Sequence, residues 1–171
     1  MDTAKNVLLI SGRDRQMADA FSNLLRAAGL RPLTREEMVR ATGYTSPHAG
    51  EMIAAGTRLA QATVILFSPD EIVEPRPDLA SFGPQAASIG GQPRANVIFE
   101  AGMALAANPE RTIIVETGHI KPISDLAGLN VVRFDGSATA IRALLTRLRQ
   151  VGCKVDVEAA LKDTQLKPSS H

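Results

Sequence analysis

Three stretches of this chain are apolar almost residue after residue: Asn6-Val-Leu-Leu-Ile10, Ala62-Thr-Val-Ile-Leu-Phe67 and Arg111-Thr-Ile-Ile-Val-Glu116. A strand with one wet face alternates apolar and polar side chains, so a continuous run marks a strand covered on both faces. Helical spacing separates these runs. Over residues 15–28, Met17, Phe21, Leu24, Leu25 and Ala28 fall on one side, and Gly29 stops the helix. Ser137 to Val151 repeats the pattern with Ile141, Leu144, Leu145 and Leu148. Doubly buried strands alternating with amphipathic helices predict an α/β domain: a parallel sheet with helices on both faces.

The remaining segments fill in that plan. Leu30 to Thr34 is expected as a second strand, and Leu129 to Phe134 as a fifth. Residues 36–47 read as a loop with a short helix around Glu36 to Arg40, and His48 to Gln61 as an Ala-rich helix interrupted by Gly50 and Gly56. Asn96 to Asn108 is a helix stopped by Asn108-Pro109. Residues 71–93 carry Pro75, Pro77, Pro84, Pro93, Gly83, Gly90 and Gly91. That segment is too long and too broken for a connector and is expected to be a functional or mobile loop. The domain is expected to occupy residues 1–152, with 153–171 a polar tail or linker.

Composition narrows the function classes. A net charge of +1 gives no electrostatic case for nucleic acid or an anionic membrane. Aromatics are 4% with no Trp, which argues against a base-stacking surface. Cys153 is the single cysteine, no Cys/His metal spacing exists, and a reducing, cytoplasmic setting fits. No apolar run approaches the roughly 20 residues of a membrane helix. The sequence has no Gly-x-Gly-x-x-Gly, phosphate-loop lysine motif or Gly-x-Ser-x-Gly elbow. His48, His119 and His171 are scattered and read as surface residues. A phospho-receiver has the same alternation, and Asp70 and Lys121 sit suitably, but it needs an acidic pair after strand one. Ile10-Ser11-Gly12-Arg13 stands there instead.

In such sheets ligands bind outside the C-terminal ends of the strands. That rule gathers Ser11, Gly12, Arg13 and Asp14 after strand one, Arg35 after strand two, and Ser68 and Asp70 after strand three. Arg94, Asn96 and Glu100 open the helix that leads into strand four. The Pro/Gly loop is expected to cover the crevice. Glu100 is the most informative of them, a carboxylate between Val97-Ile98-Phe99 and Ala101-Gly102. Charges are seldom buried unless paired or used. Each residue has a plain alternative. Glu100 suits a helix N-terminus for dipole reasons, Asp14 and Asn96 suit N-caps, Ser68 and Asp70 suit a turn, and Arg94 suits a solvated surface. Phe99 and Met103 read as core.

The segment Arg94, Asn96, Val97, Phe99, Glu100, Gly102 resembles the bacterial TIR-like (Toll/interleukin-1 receptor) effector domains of cyclic-nucleotide-activated anti-phage systems of the Pycsar and CBASS type. These read Arg-x-Asn-Val-x-Phe-Glu-x-Gly at this helix. Ser11 to Asp14, the strand Val64 to Asp70, Ile123 to Gly128 and Val132 to Asp135 are similar as well. The resemblance spans about residues 6–150 and implies a single flavodoxin-like/TIR-like domain with a five-stranded parallel sheet. It implies cleavage of NAD⁺ at the nicotinamide–ribose bond with Glu100 as catalytic residue, depletion of NAD⁺ in defence, and activation by TIR–TIR self-association. It further implies a cyclic-nucleotide sensor on this or another chain. NAD⁺ is then substrate, with no separate cofactor and no metal.

The chemistry agrees. Breaking an N-glycosidic bond builds positive charge on the ribose, which one carboxylate can stabilise or attack. Nicotinamide leaves neutral, so no strong acid is required. Arg13 suits a phosphate, and Ser11-Gly12 a close backbone approach. Two other classes stay open: a nucleoside deoxyribosyltransferase or nucleotide N-glycosidase, and a non-catalytic TIR interaction module.

Overall fold

A computed structural model describes residues 3–76, 78, 89–126 and 129–162. The chain runs β1 (Asn6–Ile10), α1 (Arg15–Ala27), β2 (Arg31–Pro32), α2 (Arg35–Thr42), α3 (Ala49–Leu59), β3 (Ala62–Phe67) and β4 (Glu71–Val73). It continues through β5 (Gly90–Gln92), α4 (Ala95–Ala107), β6 (Thr112–Thr117), β7 (Val131–Phe134), α5 (Ala138–Gln150) and α6 (Val157–Lys162). Five strands form one parallel sheet in the order β2-β1-β3-β6-β7. The expected α/β architecture is therefore present.

Side-chain alternation divides the sheet between two cores. Val7, Val64, Leu66, Ile113 and Val115 face one side, against Phe21, Leu24 and Leu25 of α1 and Ile141, Leu144, Leu145 and Leu148 of α5. Leu8, Ile10, Ile65, Phe67 and Ile114 face the other, against Ile53 of α3 and Val97, Ala101 and Ala104 of α4. Central β3 is buried at all six residues, as a run apolar on both faces requires. The Phe21 and Phe134 rings, with centroids 4.6 Å apart, close the first core where α1 meets β7.

Four local expectations need correction. The 36–47 segment holds a two-turn helix, α2, opened by a capping box: Thr34 Oγ1 accepts from the Glu37 N–H at 3.2 Å, and Glu37 Oε2 from the Thr34 N–H at 2.8 Å. Because Thr34 serves as that cap, the second strand is confined to Arg31–Pro32. The 71–93 segment begins and ends in an antiparallel ribbon, Ile72 opposite Gly91, rather than as loop throughout. The expectation of mobility falls on Pro77 and residues 79–88, outside the described residues.

The fourth correction concerns the C-terminal boundary. Residues 153–162 continue the domain. The Lys154 N–H donates to the Ala4 carbonyl at 2.8 Å and the Asp156 N–H to the Ala28 carbonyl at 2.9 Å. Cys153 and Ala160 are buried in the first core, with Val155, Val157 and Leu161 packed on it. Polar composition concealed a short helix with a single apolar stripe. Residues 163–171, which include the rest of the expected tail, lie outside the described residues. No helix among the described residues is long and apolar enough to cross a membrane.

Candidate active site

The order 2-1-3-4-5 (β2, β1, β3, β6, β7) means the chain leaves β1 toward one edge and resumes at β3 on the other side of it. Crossovers diverge there and leave a crevice at the strands' C-terminal ends. The loops after β1 and β3 meet at that crevice. Asp70 Oδ1 accepts from the Ser68 hydroxyl at 2.9 Å, and Asp70 Oδ2 from the Arg13 N–H at 3.2 Å. Ser68 is buried, Ser11 and Gly12 are half-buried, and the Arg13 side chain is exposed. Its guanidinium makes no ion pair among the described residues. Asp14 turns away from this network: it is the N-cap of α1, and its Oδ1 accepts from the Met17 N–H at 2.9 Å. Arg35 opens α2, directly after the edge strand β2, and its side chain is exposed.

The ribbon is seated beside the crevice. At Gly91 a Cβ would fall 2.6 Å from Pro69 Cβ and 2.7 Å from the His119 carbonyl oxygen, so only glycine lets the ribbon lie this close. The Lys121 N–H donates to the Gly91 carbonyl at 2.8 Å. The ends of the Pro/Gly segment thus rest over the ends of β3 and β6.

Helix α4 differs in detail from its expected start. Arg94 is the N-cap residue, and the helix begins at Ala95. Asn96 is therefore not the cap; it is an exposed residue in the first turn. Glu100 is the sixth helical residue, and no acidic residue lies in the first turn. Its position in the second turn removes the capping and dipole explanation. Val97, Ala101 and Ala104 bury α4 against the sheet. Glu100, three residues from one and four from another, flanks that stripe and is half-buried. Met103 shares the flank and approaches the start of α3, where a Cβ on Gly50 would lie 3.1 Å from its Cε. The Glu100 flank therefore faces α3. Sequence reasoning missed this role for the start of α3; the small Gly50 in an Ala-rich helix was the available signal.

Desolvation raises the pKa of Glu100 above its ordinary value, and the positive charge of Arg94 offsets part of that rise without a direct ion pair. Phe99, by contrast, is not core. It points away from the buried stripe and is 69% exposed, beside exposed Asn96 and Gly102. Met103 does pack partly against the second core, as expected. A cleft of about 740 Å³ lies along the same edge at the ends of β6 and β7, lined by Glu116, His119, Ile123, Leu126, Arg133 and Asp135. A space of about 820 Å³ at the opposite edge, between α5 and α6, includes Arg142 and Glu158 and stands away from Glu100.

The structure thus joins Gly12, Arg13, Ser68 and Asp70 in one network and sets Arg94, Asn96 and Glu100 on α4, with exposed Asn96 one turn before Glu100; Asp14 caps α1, and Arg35 opens α2 after the edge strand β2. No curated protein matches the chain. The family described as CAP12/Pycsar effector protein, TIR domain, matches residues 6–136, from the first residue of β1 to just beyond β7. That stretch exceeds half of the 171 residues and contains the whole sheet, the β1–β3 loops and Glu100. The chain belongs to the TIR-domain family of CAP12/Pycsar effector proteins.

Proposed function

We propose that this TIR domain is an NAD⁺ glycohydrolase that acts as an anti-phage effector by depleting NAD⁺. The observation that carries the reading is Glu100. It is a half-buried carboxylate with no capping role, on the flank of α4 that faces α3. Desolvation strengthens its field at a nearby positive centre. In the reaction the ribose C1′–nitrogen bond breaks and its electron pair goes to the pyridinium nitrogen, so nicotinamide leaves neutral. Ionised Glu100 stabilises the cationic ribose or bonds to C1′. Water then adds at C1′ and gives up a proton, leaving ADP-ribose; where Glu100 has bonded to C1′, that bond breaks as water adds and its electron pair returns to the carboxylate. The Arg13 guanidinium meets a phosphate of the dinucleotide, and the Ser11-Gly12 backbone lies alongside. NAD⁺ is substrate, so the chemistry needs no further cofactor.

The family's name supports an effector downstream of a cyclic-nucleotide signal, with the sensor on another segment or chain. Self-association is the proposed switch. The test is chromatographic: purified protein is incubated with NAD⁺ and, separately, with deoxynucleosides, and released base is followed. We expect nicotinamide from NAD⁺ and none with Glu100→Gln or Glu100→Ala, both folded. Near wild-type turnover by Glu100→Gln would remove Glu100 from the chemistry. Base release from deoxynucleosides alone would make the enzyme a deoxyribosyltransferase-like protein instead. Release from neither, at any protein concentration, would leave an interaction module.

A further inference from the structure

We infer that Asp70 is a positioning residue, holding the Gly12–Arg13 turn so that Arg13 is presented to the anionic part of the substrate. The inference rests on NAD⁺ being that substrate. Three observations carry it. Both carboxylate oxygens are engaged inside the protein, Oδ1 by the Ser68 hydroxyl and Oδ2 by the Arg13 N–H. Ser68 is itself buried at the end of β3, so the carboxylate is tied to the rigid centre of the sheet. Finally, Gly12 has no side chain because Asp70 occupies the space. A Cβ there would lie 1.6 Å from Asp70 Oδ2, 2.7 Å from Cγ and 3.3 Å from Oδ1, and those are its three nearest neighbours.

Gly12 is not among the glycines with positive φ, so its backbone conformation is open to any residue. What a side chain at position 12 would meet first is the Asp70 carboxylate. Gly12 and Asp70, far apart in sequence, therefore form one device. The carboxylate closes over the bare Cα and takes the next N–H, which fixes the direction in which Arg13 leaves the turn. A substrate phosphate then meets an arginine whose backbone is already ordered, and preorganisation of this kind is worth affinity.

This assignment makes a non-additive prediction. Gly12→Ala would push the Asp70 carboxylate out of its place and break the same hydrogen bonds that Asp70→Ala removes. The two changes should have one effect between them. The experiment measures NAD⁺ binding to Glu100→Gln protein, in which turnover is blocked, by calorimetry at high protein concentration. Adding Asp70→Ala or Gly12→Ala should each weaken binding roughly tenfold, as loss of one charge-assisted hydrogen bond does. Adding both should weaken it no further. Asp70→Asn should restore most of the affinity, because its amide oxygen can accept from the Arg13 N–H while its NH₂ donates to the Ser68 hydroxyl. A parallel readout, hydrogen exchange at the Arg13 amide, should speed up in Asp70→Ala and recover in Asp70→Asn.

Several results would overturn the assignment. One is an affinity unchanged within about twofold in Asp70→Ala. Another is a roughly hundredfold loss in the double change, the product of independent effects. A third is Asp70→Asn binding as poorly as Asp70→Ala, which would make the Asp70 charge itself a substrate ligand. If the Glu100→Gln parent binds no NAD⁺ and the wild type releases no nicotinamide, the substrate reading fails and the inference goes with it. If Gly12→Ala does not fold, the Asp70→Ala and Asp70→Asn pair decides alone.

Discussion

Glu100 sits where folding and chemistry pull apart. Its pKa is raised by desolvation, so the folded state holds the proton more tightly than the unfolded chain, whose value is near 4.5. Stability from this group is complete below that value and is lost as pH rises through the raised folded-state pKa. At neutral pH ionised Glu100 therefore works against the fold, and Glu100→Gln should melt at a higher temperature than wild type at pH 7, with the gap closing toward pH 4. An equal or lower melting temperature at pH 7 would contradict the desolvation. Cleavage has the opposite sign, since it needs the carboxylate. Its rate should fall on the acid side at a higher pH than an ordinary glutamate would give. Because the Arg94 charge lowers the pKa of Glu100, Arg94→Gln should move that acid limb higher still. A limb that stays fixed in Arg94→Gln would show that another group sets it. Arg13 belongs to binding: Arg13→Ala should raise KM more than it lowers kcat, since a phosphate contact exists in ground and transition states alike. An unchanged KM would take Arg13 out of the site.

The elements show how local chemistry sets what surrounds the site. Helix α2 exists because Thr34 and Glu37 cap each other, and Arg31 adds an ion pair to the same Glu37. The Thr34 hydrogen bond and the Arg31 charge hold the Glu37 carboxyl below 4.5. That contribution is present above the unfolded value and fades as pH falls through the lowered one. Thr34→Ala should cost about 1 kcal/mol in urea unfolding at pH 7. An unchanged urea midpoint would mean the box adds nothing. The short helix expected at Glu36 to Arg40 is in place but runs from Arg35 to Thr42, because Thr34, expected to end the second strand, is its N-cap. Helix α4 gives the opposite lesson. Val97, Ala101 and Ala104 bury its face, whereas Phe99, expected in the core, lies between Val97 and Ala101 in sequence and points outward. Hydrophobicity says that a ring prefers burial; only the helix's rotation against the sheet says which rings achieve it.

At the scale of the whole domain, α6 closes the fold on α1 and α5. Ending the chain at residue 152 removes Cys153, Ala160 and the apolar stripe of 155–161 from the first core, and exposes part of α1. Compared with a chain ending at 162, it should be destabilised by about 2 kcal/mol or more. Equal urea midpoints for the two would show that α6 does not stabilise the domain. The second expectation at this scale concerns assembly. Phe99 on α4 and Ile72 and Ile89 at the ribbon are large apolar side chains left exposed, and the proposed switch is self-association. Specific activity should then rise with protein concentration and with crowding. Full turnover at nanomolar protein, flat into the micromolar range, would show that one subunit holds a complete site.

The layers are legible in the order of residues. Runs apolar at nearly every residue admit few folds besides a parallel sheet covered twice, and the amphipathic stripes of α1 and α5 follow from spacing alone. The sequence also singled out Glu100, since a lone carboxylate inside an apolar segment is conspicuous without any structure. Tertiary structure decided which candidates meet. Asp14 and Asn96 lie in the same short stretches as Arg13 and Glu100, yet one caps α1 and the other faces water. Asp70 looked like a turn residue, and only the juxtaposition of β1 and β3 brings its carboxylate over Gly12. The reason is physical. Periodicity is written in neighbouring residues, whereas a contact between residues 12 and 70 depends on strand order, register and the direction each loop takes as it leaves the sheet.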